Sequence, residues 1–109
     1  MDQESRNRIA ANEATYRRIN ESVRGDPPDG LVSFVCECGL LGCNRLIRLG
    51  RDQYEAIRAN SRRFVVVPGH EIGAVEDVIE RHADHLVIEK HPDTAGIVER
   101  TDPRRPAGG

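Results

Sequence analysis

The chain has 109 residues, a formal net charge of −2, two Phe, two Tyr and no Trp, so a single small domain must build its core from Val, Ile, Leu and Ala. No apolar run is long enough to span a membrane, which excludes a membrane partner at this level, and MDQESRNRIA lacks an apolar signal core, which predicts a cytoplasmic protein. Its three cysteines, an odd number without an export signal, argue against a disulfide framework and for thiols that are kept reduced or held by metal.

Residues 3–24 read as a helix. Ile9, Tyr16 and Val23 recur every seven residues, with Asn12 and Ile19 at the other seam position. This face is thin for a helix buried in its own domain, so it is expected either to dock on a sheet or to meet a protein partner or a second copy of the chain. GDPPDG (25–30) is a breaker. LVSFVCEC (31–38) and RLIRL (45–49) read as strands joined by a GLLG turn, and residues 51–59 as a short helix. FVVVP (64–68) is a strand, PGHE a turn, 74–81 a second short amphipathic helix through Val75, Val78 and Ile79, and HLVIEK (85–90) a last strand. The tail, rich in Pro, Gly and charge, reads as flexible over 93–109, with its last eight or so residues disordered. Residues 1–92 therefore form one α+β domain: a small antiparallel or mixed sheet with a zinc-knuckle-like Cys hairpin, packed by an N-terminal helix and two short helices.

All three cysteines fall within FVCECGLLGC, residues 34–43. Alternate residues of a strand face one side, so Cys36 and Cys38 point together and Glu37 points away. Gly39 and Gly42 let the turn carry Cys43 back beneath them. Three sulfurs then converge and need one more donor to complete a tetrahedron. His70 is the choice among His70, His82, His85 and His91, because it closes the P-G-H turn at the mouth of the apolar strand. His82 can serve the end of the second short helix, and His85 and His91 flank the last strand, facing solvent. Thiolates plus imidazole point first to zinc. An iron–sulfur cluster is the rival, although the chain lacks the CDGSH string and close Cys–His spacing of the family that binds two irons with three Cys and one His.

NEATYRRINE, FVCECG with its third Cys, IRLGRDQYEAIR and RRFVVVPGHE together resemble a group of short, uncharacterised bacterial proteins with a C-x-C-x4-C hairpin and a following P-G-H. The likeness covers residues 10–90. Their segment after the third Cys reads I-x-L-T-x-x-E-Y, whereas here Gly50 stands for the Thr and Gln53 for the Glu, which weakens the helix cap.

Four protein ligands close a metal site to substrate. The first expectation is therefore a zinc-stapled, non-enzymatic regulatory or interaction module. A thiol/zinc redox switch would use the same residues. A zinc enzyme would need an open position and Glu71 or Glu37 as general base. Nucleic-acid binding would draw on Arg45, Arg48, Arg51, Arg58, Arg62 and Arg63, set against only Asp52 and Glu55 in that stretch. Nine acids face three bases from Phe64 to Asp102, so internal pairing of the two halves is the plainer expectation.

Overall fold

The computed structural model describes residues 1–25 and 27–105. Asp26 of the breaker and residues 106–109 of the tail lie outside the described residues. Helix α1 (Gln3–Glu21) starts where the Asp2 carboxylate accepts the Ser5 amide at 2.8 Å, and it ends three residues before the expected boundary. A hairpin of β1 (Leu31–Val35) and β2 (Leu46–Gly50) follows, paired antiparallel with Val35 opposite Leu46. Its inner face carries Val32, Phe34, Ile47 and Leu49 into the core, as alternation requires. Helix α2 (Arg51–Arg58) packs Tyr54 on Phe34, with the rings stacked at 4.1 Å. Gly50 offers no side chain to cap α2, yet Gln53 Oε1 accepts the Gly50 amide at 2.8 Å, so one half of the reciprocal cap survives.

The second sheet consists of β3 (Arg63–Val66), β4 (Glu76–Arg81) and β5 (Leu86–Lys90) in the antiparallel order β3-β5-β4, and helix α3 (Pro92–Arg100) follows it. The fold is α+β with an N-terminal helix and two short helices, as expected, but the expected single sheet resolves into two.

Two assignments change. Residues 74–81 form a turn and β4 rather than a helix. Val75 belongs to the turn before β4, and a register shift between Val78 and Glu80 takes Ile79 out of the strand's alternation, so the three apolar residues fall at helical spacing. The segment after residue 92 is not a flexible tail up to Arg105. Pro92 takes the first turn of α3, where its missing N–H costs nothing, and Ala95 and Val98 are buried. Beyond α3, Arg104 pairs with Glu21 at 2.9 Å and Glu55 at 2.6 Å.

Helix α1 buries Ala10, Glu13, Ala14, Arg17 and Asn20 rather than its heptad face. Arg17 donates to the carbonyls of Ser61 and Val98, both at 2.6 Å, and its guanidinium lies over the Phe64 ring. The Asn20 amide makes both bonds to the Val35 peptide, at 2.8 Å each.

The charge asymmetry resolves largely as pairing within the chain. Arg58 is buried between Glu21 and Asp102, and Arg48, Arg62 and Arg63 pair with Asp29, Glu99 and Glu89.

Candidate metal centre

Two turns of the same kind present the half-buried part of the site. Leu40–Cys43 closes with the Cys43 amide donating to the Leu40 carbonyl at 3.1 Å. Val67–His70 closes with the His70 amide on the Val67 carbonyl at 2.9 Å. Gly42 and Gly69, third in each turn, have φ of 90° and 95°, the type II geometry that a Cβ disfavours. Cys43 and His70 therefore occupy equivalent last positions of their turns, and Pro68 sets the second position of its own.

The other half is buried. Cys36 and Cys38 extend beyond β1, with the Cys36 amide on the Arg45 carbonyl at 2.9 Å. The ligand atoms of Cys36, Cys38, Cys43 and His70 all lie within 4.8 Å of one another. His70 Nδ1 is 3.6 Å from both the Cys36 and Cys43 sulfurs. Zinc bonds of ~2.3 Å to sulfur and ~2.0–2.1 Å to nitrogen give a tetrahedral S···N edge of roughly 3.6 Å, so one ion fits this frame. A two-iron cluster would spread its ligands over two centres.

Burial, helped by the neighbouring sulfurs, pushes the Cys36 thiol up. Burial likewise raises Cys38. Two backbone N–H groups oppose this: Val67 donates to the Cys36 sulfur at 3.2 Å, and Leu40 donates to that of Cys38. Three crowded sulfurs with amides aimed at two of them make a site that favours a cation, since only a positive centre lets all three ionise.

The other histidines lie elsewhere. His82 pairs with Glu80 at 3.0 Å and stacks on His85, and His91 pairs with Asp77 at 3.1 Å. His82 follows a strand, not a helix. His85 does not face solvent as expected, being 5% exposed. Glu37 does point away from the sulfurs, into the core. Its carboxylate accepts from Tyr54 Oη at 2.6 Å, Asn20 Nδ2 at 3.0 Å and the Val65 amide at 3.1 Å. Glu71 accepts the Gly69 amide at 2.7 Å. Both candidate bases are thus committed to holding the backbone.

The face of α1 expected to take a partner is largely occupied from within the chain. Asn12 donates to the Gly39 carbonyl at 3.0 Å, and Tyr16 Oη donates to the Leu40 carbonyl at 3.2 Å while accepting the Gly42 amide at 2.8 Å. Ile9 sits against Gly39, and Val23 packs on the core, leaving Ile19 at 46% exposure. Sequence reasoning missed this clamp, although Asn12 and Tyr16 in register were its signal. A Cβ on Gly39 would overlap the Ile9 side chain. Gly39→Ala is therefore expected to lose about 1–3 kcal/mol of stability. The loss should shrink in an Ile9→Ala background when thermal melts of the double-mutant cycle are compared. Equal losses in both backgrounds would mean that the contact is not the cause.

No known protein family, curated protein or solved structure matches this chain. Among the described residues, no helix is long and apolar enough to cross a membrane.

Proposed function

We propose that this chain is a small zinc-binding protein, in which Cys36, Cys38, Cys43 and His70 hold one structural ion and the rest serves as a non-enzymatic regulatory or protein-interaction module. The convergence of four ligand atoms within 4.8 Å carries the reading. Four protein donors fill a tetrahedron and leave no position for substrate or an activated water. The engagement of Glu37 and Glu71 with backbone amides supports the non-enzymatic reading. The surface offered to a protein partner is apolar and lies around the ligand loop and α1: Leu40, Leu41 and Ile19 are 50%, 82% and 46% exposed.

Native mass spectrometry of the purified protein beside His70→Ala tests this. One zinc per chain, with occupancy falling at least tenfold in the variant, is the expected result. Iron with sulfide would replace the reading by an iron–sulfur centre. A folded, metal-free chain would overturn it.

One observation favours a second role for the same site. Cys43 is half-buried where Cys36 and Cys38 are buried, so an oxidant reaches that sulfur first. Peroxide oxidising two ion-bound thiolates, with two protons taken from solvent, would form a disulfide and two waters and would expel the ion. Zinc release in step with peroxide added is the expected signature of a switch.

A further inference from the structure

Glu13 of α1, Glu76 of β4 and Lys90 of β5 have side chains with 0% exposure. Glu76 and Lys90 are opposite one another in the sheet, and α1 lays Glu13 across them. Two carboxylates share one ammonium, so full ionisation would leave an uncompensated negative charge inside the protein. Glu76 is well supplied, accepting the Ile72 amide at 3.0 Å and Lys90 Nζ at 3.2 Å. Glu13 is not. Lys90 Nζ, 2.7 Å from its Oε1, is shared with Glu76, and the buried Glu13 Oε2 has no hydrogen-bond partner among the described residues. The shared Nζ, 2.7 Å from Glu13 Oε1 and 3.2 Å from Glu76 Oε1, brings the two carboxyl groups together. Two acceptors face each other there, and a proton between them supplies the missing donor.

Burial first, then the Glu76 contact, pushes the Glu13 carboxyl well above the usual range, with Lys90 pulling the other way. The other charged groups on the packed elements are engaged elsewhere or exposed. On α1, Arg17 goes to two carbonyls and Arg6 to Asp93 of α3. On β4, Asp77 and Glu80 pair with His91 and His82. On β5, Glu89 pairs with Arg63, and Glu99 of α3 pairs with Arg62. Arg81 and Arg100 are exposed.

We infer that the triad is a proton-operated clamp: one proton shared by Glu13 and Glu76 holds α1 on the sheet, and its loss frees α1 together with the cysteine loop that Asn12 and Tyr16 grip. The folded chain holds a proton that the unfolded chain releases above the ordinary carboxyl value. The clamp therefore contributes fully at low pH and fades as pH rises through the Glu13 value in the folded protein.

Amide hydrogen exchange of the protein as purified, wild type beside Glu13→Gln at pH 6 and pH 9, reads this directly. The carboxamide that this substitution introduces can donate to Glu76 without borrowing a proton. At pH 6 the two proteins are expected to protect α1 alike. At pH 9 the α1 amides and those of Leu40–Cys43 should exchange about tenfold faster in wild type. A wild-type-to-variant ratio that stays constant between the two pH values would overturn the clamp. Glu76→Gln removes the same surplus charge from the other side, and should flatten the response likewise if Glu13→Gln fails to fold. The consequence for ion retention rests on the metal reading, but exchange in α1 does not. A pH-dependent ratio without bound metal keeps the clamp and overturns the metal centre, and a constant ratio with zinc bound does the reverse.

Discussion

If the proposed ion is bound, stripping it with a chelator is expected to lower the melting temperature sharply. Structural zinc in finger peptides supplies roughly 10–16 kcal/mol of apparent binding energy at neutral pH, against a typical domain stability of about 5–15 kcal/mol. Part of the fold is held without these donors, since α1 packs on α3 and β5 pairs with both β3 and β4. Even a net loss of ~3 kcal/mol would lower the melting temperature by roughly 12–24 °C in a domain of this size. The damage should begin in residues 36–43, since without a cation the raised thiols of Cys36 and Cys38 stay protonated and the loop loses its centre. Zinc binding releases those protons, so retention should weaken as pH falls. Identical melts before and after chelation, with metal removal checked, would remove the ion from the account of stability.

Glu37→Ala is expected to be the most damaging substitution outside the ligands. The carboxylate joins Asn20 of α1, Tyr54 of α2 and the Val65 amide of β3, and its own amide donates to the Val65 carbonyl at 2.8 Å. Removal leaves the buried Tyr54 hydroxyl and Val65 amide without an acceptor and takes one of the two bonds of the Asn20 amide, each costing about 1–3 kcal/mol, so the sum is on the order of 3–9 kcal/mol. Since Glu37 also spaces Cys36 from Cys38, zinc affinity should fall with stability. Glu37→Gln should be intermediate: the Tyr54 hydroxyl can turn to accept from the new amide, while the Asn20 amide cannot. Denaturant melts and a zinc competition assay decide it. An alanine variant within about 1 kcal/mol of wild type would show that Glu37 is not the hub.

The local part of this arrangement was legible in the sequence. C-x-C in a strand, glycines around the turn and Pro-Gly before His70 specify where four donors can go, because each rests on backbone geometry within a few residues. Long-range pairing was not legible. Glu13, Glu76, Arg17 and Lys90 read as surface charges until partners from distant segments meet them inside, so the true core face of α1 was hidden behind its more apolar heptad face. The same blindness turned β4 into a helix, since its buried Glu76 and its irregular register erased the alternation. Gly96 and the charges around it disguised α3, whose stability comes from docking rather than propensity.

A two-stranded ribbon is an open invitation to a third strand. In β1 the outward-facing peptide groups are those of Leu31, Ser33 and Val35. The Leu31 amide is taken by Asp29 at 3.0 Å and its carbonyl by Arg48 at 3.2 Å, while both Val35 groups are taken by Asn20. Side chains thus sit where a stranger's backbone would pair, at both ends of the strand. A polar residue that looks like a minor tether between helix and ribbon also keeps neighbouring molecules from zipping on, so replacing Asn20 should promote fibrous self-assembly as well as loosen the fold.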